Sequence, residues 1–276
     1  MATEPLSPSL AKQVLAHLHV ATAPPTLALL DELVSAYIRT VPWESAFRIA
    51  KRASTGDTAD CPRWPVEFWQ DSMVRGGGGT CFESNYAFYS LLLALGYEGY
   101  LTINNMGDSI GCHTAIVLFV DGQKWLADVG IPLYAPLLIK PEGTTNRATP
   151  FLNFGVRPDG HDTYQIERWP HPSRNVFTLI DKPVPDAAYR MATTADYGSN
   201  GLFLDKVVIN KIVSELPWRF NSAEQPWLLN SFMDGIRTDK VWEGEAATAI
   251  SKHFNIDSDR VRQALVYLYG EEGLEN

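Results

Sequence analysis

Cysteine is scarce in this sequence: three in 276 residues, at positions 61, 81 and 112. An odd number with no paired spacing excludes a disulfide framework. The six histidines show no HExxH or zinc-finger spacing and no two cysteines form a CxxC, so no metal site is expected. Basic charge is also in short supply, with 23 Lys and Arg against 32 Asp and Glu, for a formal net charge of −9. Such a field repels a polyphosphate backbone, and nucleic acid is excluded as an expected partner. Also missing is any run of about 18 apolar residues, the length that crosses a bilayer. The opening MATEPLSPSLAKQ lacks the charged-then-apolar pattern of a signal peptide, so the expected location is the cytoplasm, with no membrane partner. Internal repeats and low-complexity tracts are absent too.

What remains is a globular composition, 45% hydrophobic and 11% aromatic. A chain of this length buries roughly three quarters of its unfolded surface, enough for a closed, water-poor site. Leu10, Val14, Leu15 and Leu18, then Leu27, Leu30, Leu33, Val34 and Tyr37, predict two amphipathic helices on either side of Pro24-Pro25. Residues 51–65, polar and punctuated by proline, predict a surface excursion in which Cys61 is a bystander. After the glycine run at 76–79, Thr80 and Glu83 make the T-x-x-E signature of a capping box and Gly96 supplies a stop. Cys81 is then the first residue of a buried helix.

From Tyr97 onward the pattern shortens to β-rich segments at 99–105, 112–120, 124–130, 163–168 and 176–180. Beyond residue 200, VVINKIV reads as a strand, WLLNSFMDGI is ambiguous, and the terminal stretch reads as two helices around residues 255–258. The expected fold class is α+β, with an N-terminal helical bundle (1–96), a central antiparallel β-barrel (97–200) and a C-terminal α/β lid (201–276).

A thiol at the first turn of a helix faces unpaired backbone N–H groups and the positive end of the macrodipole, and both favour thiolate. Glycines before it let backbone approach a substrate, and nearby N–H groups can form an oxyanion hole. Taken alone, such a cysteine is as readily a small buried side chain. The segment CHTAIVLFV-DGQ-KWLADVG changes the balance, because it reads as two alternating strands around an Asp121-Gly122 turn. With an even loop, Val120 opposes Gln123, Ala115 opposes Asp128 and His113 opposes Gly130. His113 and Asp128 are then diagonal neighbours on one face, roughly 7–8 Å apart at the backbone. A carboxylate so placed can fix one imidazole tautomer and leave the other nitrogen for a thiol. Singly, a core histidine and a turn-capping aspartate are the simpler readings. Together, on an apolar hairpin face, they are costly to bury unless paired or used. Cys112 points to the opposite face and reads as packing.

GGTCFESN, CHTAIVLFVDGQKWLADVG and the upstream VPWES together resemble the arylamine N-acetyltransferase family over about residues 26 to 131. The resemblance implies the cysteine-protease-like Cys-His-Asp scaffold just described and a ping-pong reaction with no permanently bound cofactor. Cys81 would be the nucleophile, His113 its base and acid, and Asp128 the orienting carboxylate. Acetyl-CoA or another acyl-CoA would be the donor and co-substrate, and an aromatic or heterocyclic amine or hydrazine the acceptor. Gly79, Thr80 and Phe82 would supply the oxyanion and backbone contacts, and Ile131, Leu133 and Phe203 the substrate contacts. Ile131-Pro132 replaces an aromatic that commonly lines the family's acceptor pocket, and Asp196-Tyr197-Gly198-Ser199 with Phe203 is an echo of its coenzyme A stretch. Glu44 of VPWES would pair with Arg75, which stands six residues before the cysteine where the family usually has four. Alternatives within the same chemistry are an amide synthase that releases a carrier-bound thioester, or a Cys-His-Asp hydrolase. A catalytically silent binding protein is the third class.

Overall fold

The computed structural model describes residues 3–233 and 236–274. Its helices are α1 (Pro8–Leu18), α2 (Leu27–Thr40), α3 (Ala46–Ser54), α4 (Pro65–Arg75), α5 (Cys81–Ala94), α6 (Asp186–Ala195), α7 (Ala246–Phe254) and α8 (Ser258–Tyr269). The strands are β1 (Trp43–Glu44), β2 (Glu98–Met106), β3 (Ser109–Val120), β4 (Gln123–Ala127), β5 (Leu137–Ile139), β6 (Thr145–Ala148) and β7 (Asn153–Pro158). They continue as β8 (Thr163–Trp169), β9 (Asn175–Ile180), β10 (Val208–Val213), β11 (Leu216–Asn221), β12 (Leu229–Met233) and β13 (Ile236–Lys240). The described chain groups into two compact units, each drawn from two stretches: residues up to 37 with 84–190, and 38–83 with residues from 191 onward. The three-part division at 96 and 200 remains a proposal about the order of element types along the chain.

The first unit is built on an eight-stranded antiparallel sheet of order β5-β4-β3-β2-β9-β8-β7-β6. Its edge strands approach each other, Thr145 donating its hydroxyl to the Leu138 carbonyl, so the sheet is a near-closed barrel. Ala115, Val117, Leu126, Leu137, Phe154, Val156, Ile166 and Phe177 fill the core. Ile116 and Leu118 are equally buried on the other face of β3, which explains its continuous apolar run. The fold class is α+β, as expected. Residue choice explains the local starts and stops: Ser7 caps Leu10 ahead of Pro8 at the first position of α1.

The second unit carries a five-stranded antiparallel sheet, β1-β10-β11-β12-β13. Phe47 and Ile49 of α3, Ile250 and Phe254 of α7 and Val261 and Leu265 of α8 form one core with Ile209, Phe220 and Leu229 of that sheet.

Three readings need correction. Residues 51–65 are not a surface excursion: α3 runs to Ser54, and Cys61 and Arg63 are buried at 0% and 2% exposure. Pro62 and Pro65 shape a segment that delivers a side chain inward rather than out to solvent. The elements β1, α3, α4, β5, β6, β7, α6, β11 and β13 have no counterpart among the expected segments, and strands as short and polar as Thr145–Ala148 carry no apolar alternation to show them. The ambiguous WLLNSFMDGI contributes β12 through Met233, while its Asp234 and Gly235 lie outside the described residues.

Candidate active site

The β3–β4 hairpin turns at Asp121 and Gly122, with φ of 51° and 70°. A two-residue loop with positive φ at both positions matches the twist of its strands. The register follows, Val120 opposite Gln123 and Ile116 opposite Ala127. His113 on β3 and Asp128 just past β4 are 1% and 0% exposed, and His113 Nε2 lies 2.6 Å from Asp128 Oδ2. A carboxylate accepts here, so Nε2 carries the proton in the neutral ring and Nδ1 is the nitrogen with a lone pair. The Phe177 ring packs against the imidazole at 4.6 Å between centroids.

The other carboxylate oxygen, Oδ1, accepts from Gly130 N at 2.8 Å, Ile131 N at 3.0 Å and Asn85 Nδ2 at 3.0 Å. Asp128 therefore caps the strand-end turn as well as holding the imidazole. Asn85 was missed as a functional residue, though its side chain also donates to the Thr114 carbonyl at 2.7 Å and accepts from Val129 N at 3.0 Å. The available signal was a fully buried amide inside the apolar stretch FESNYAFYSLLLALG of α5.

Cys81 is buried and opens α5, so it stands at the positive end of that helix's dipole. Asn85 is four residues on, about one turn along the same helix face. Before Cys81, Gly79 accepts the Glu44 N–H at 3.3 Å and Thr80 Oγ1 takes Arg48 at 3.5 Å. Phe82 is 2% exposed. Glu83 directs its oxygens to Arg63 and to the Tyr197 hydroxyl, so the T-x-x-E pair serves a buried ion cluster rather than a capping box. Among the other thiols, burial pushes Cys61 up and its Sγ donates to Asp57 O at 3.4 Å, whereas Cys112 is half-buried.

The arginine expected beside Glu44 is not Arg75, which is bound on the surface to Asp71 at 3.1 Å. It is Arg63, 3.9 Å from Glu44 and 2.6 Å from Glu83. Burial alone would raise Glu83, but the Arg63 guanidinium outweighs it and holds the carboxyl below its usual range. Burial pushes Glu44 up despite Arg63. Arg48 ion-pairs with Asp196 at 2.7 Å and lies 4.2 Å over the Tyr197 ring. The Asp196-Tyr197 pair is thus built into this cluster. Among the expected substrate contacts, Ile131 is half-buried, Leu133 is wholly inside the barrel core, and Phe203 stands edge-on to Trp43 at 4.8 Å. Among the described residues no group of His, Cys, Asp and Glu could hold a metal ion, and no helix is long and apolar enough to cross a membrane.

A near-closed antiparallel barrel with these helices is the arylamine N-acetyltransferase fold. Solved structures that share it include the Salmonella typhimurium arylamine N-acetyltransferase, at 15% identity, TM-score 0.77, and coverage of 95% of this chain and 99% of that one. The Mycobacterium marinum enzyme in complex with CoA matches at 17% identity and TM-score 0.73, over 96% and 97% of the two chains. A Bacillus cereus enzyme described as having a unique Cys-His-Glu catalytic triad matches at 18% and 0.74, over 91% and 100%. No curated protein matches the sequence. The family model described as N-acetyltransferase matches residues 26–171, more than half of the chain, and the chain belongs to that family.

Proposed function

We propose that this N-acetyltransferase moves an acetyl or other short acyl group from an acyl-CoA to an aromatic or heterocyclic amine or hydrazine, through an acyl-Cys81 thioester. The observation that carries the reading is the buried 2.6 Å bond between His113 Nε2 and Asp128 Oδ2, braced by Asn85 from the helix that Cys81 opens. Asp128 fixes the proton on Nε2, so Nδ1 is the base that takes the thiol proton. The Cys81 thiolate attacks the thioester carbonyl, a tetrahedral oxyanion forms, and the C–S bond to coenzyme A breaks as the imidazolium protonates the leaving thiolate. The amine then attacks the acyl-Cys81 carbonyl, gives its proton to the imidazole, and Cys81 leaves to be restored. Backbone groups of Gly79, Thr80 and Phe82 at the start of α5 would serve the oxyanion. Ile131 and Phe203 would touch substrate, with Leu133 acting through the packing beneath. The CoA complex of the Mycobacterium marinum relative supports the donor class. The carboxylate partner would be Asp128 where the Bacillus cereus enzyme is described with Glu. The reaction would run in the cytoplasm.

Intact mass spectrometry after separate mixing with acetyl-, propionyl- and malonyl-CoA tests this. One donor should add its acyl mass to the wild type and none to Cys81→Ala. Acyl addition in that variant would remove Cys81 as nucleophile, and equal release of coenzyme A with and without amine would make the enzyme a hydrolase.

A further inference from the structure

One guanidinium holds the chain on both sides of Cys81. Arg63 Nη2 donates to the Gly78 carbonyl, three residues before the cysteine, at 2.7 Å, and to Glu83 Oε2, two residues after it, at 2.6 Å. The Arg63 backbone N–H takes the other Glu83 oxygen at 2.8 Å. Glu44 closes the frame, its Oε1 accepting the Gly78 N–H at 3.2 Å while its own N–H bonds the Gly79 carbonyl at 3.3 Å. All of these groups lie within the second compact unit.

The position four residues before Cys81 is Gly77, where the resemblance would put an arginine. A Cβ built there falls 2.7 Å from the Phe47 ring, a contact that real side chains do not make. Phe47 fills that space, and the Arg63 guanidinium lies 5.4 Å from its ring centroid and 5.7 Å from that of Phe68. The cation therefore enters from the proline-flanked segment CPRWP. Arg75, nearer in sequence, is bound to Asp71 with its side chain 43% exposed.

We propose that Arg63 is the positioning residue for Cys81: an arginine supplied from another part of the chain, which brackets the nucleophile and sets the direction in which its thiol leaves the start of α5. The inference rests on Cys81 being the nucleophile, but not on which acyl donor it uses. Lysine at position 63 would keep a positive charge beside Glu83 and lose the rigid fork that reaches Gly78 and Glu83 in fixed directions.

The test is alkylation of the full chain by iodoacetamide across pH, with the modified cysteine located by peptide mass spectrometry, at a temperature where a melt shows each variant folded. Arg63→Lys is expected to slow Cys81 alkylation about tenfold at pH 7 and move its pH–rate profile upward, because a misdirected thiol loses the helix N-terminus. Cys61 and Cys112 should react as before, and Arg39→Ala, which removes a surface pair with Glu215 and shares no partner with Arg63, should match the wild type throughout. A folded Arg63→Lys with wild-type rate and profile, however much its melting temperature falls, would reduce Arg63 to a structural residue and overturn the proposal. So would equal slowing by Arg39→Ala. If Arg63→Lys does not fold, Glu83→Gln keeps the Gly78 anchor and weakens the hold on α5. It is expected to slow alkylation by about threefold or more, and a wild-type rate there overturns the proposal equally. No acyl donor enters the assay, so rejection of acetyl-CoA leaves this test intact.

Discussion

At Asp128 one carboxylate answers two demands, and each oxygen has its own. Oδ1 gathers three N–H donors and Oδ2 holds His113. In Asp128→Asn the same three donors keep an oxygen at the Oδ1 place, so the new amide faces Nε2. That nitrogen must then accept, the ring proton moves to Nδ1, and the base is lost with the backbone unchanged. We expect kcat/KM to fall by about two to four orders of magnitude, as for orienting carboxylates in hydrolase triads, with little change in melting temperature. A loss below tenfold would return Asp128 to turn capping alone. Asn85→Ala should differ in kind, since it takes a donor from the Thr114 carbonyl and from Asp128 Oδ1 and removes the acceptor of the buried Val129 N–H. Stability should drop by about 1–3 kcal/mol in denaturant titration, the cost of the buried Val129 N–H left unsatisfied, together with a loss of activity. The residues of the proposed triad were legible because a cysteine behind glycines and a His–Asp pair on one strand face are local patterns. Asn85 and Arg63 were not, since what they do depends on carbonyls and carboxylates brought to them from distant positions.

Among the elements, the hairpin was readable from its turn, because side-chain parity fixes every pair once the loop is known to be even. The strands from 137 to 158 were not, as their pairing partners rather than their own composition make them strands. Lys211 on β10 shows what such packing does to a charge. It donates to the Phe254 carbonyl at the end of α7 at 2.8 Å, and burial pushes its ammonium down to about 8 from the ordinary 10.5. Between those two values the unfolded chain binds more protons than the folded one, so stability rises with pH across that window. The cost of a buried charged amine is present in full below it. Lys211→Met should flatten the rise of melting temperature between about pH 8 and 10, measured by calorimetry. The tyrosines Tyr86, Tyr97 and Tyr100, all raised from 10 by burial of their hydroxyls, act only at the alkaline end. An unchanged slope in the variant would assign the effect to other groups.

For the whole molecule, the net charge of −9 opposes the approach of any acyl-CoA, whose phosphates make it strongly anionic. Salt screens that repulsion. The second-order rate of enzyme acylation should therefore rise about two- to fivefold between roughly 20 and 200 mM NaCl, whereas turnover at saturating donor should not change. A rate that falls with salt would mean that a local basic patch outweighs the global field.

The sequence by itself determined the place of Cys81 at the start of its helix, the parity of the hairpin and the net negative charge, because each depends on neighbours a few residues apart or on composition alone. Only the tertiary structure decided which arginine meets Glu44 and Glu83, and which oxygen of Asp128 meets His113. Arg63 is 20 residues from Glu83, and Asn85 is 43 from Asp128. Over such separations the pairing is set by which side chains the packed core leaves room for, as the Phe47 ring shows at Gly77.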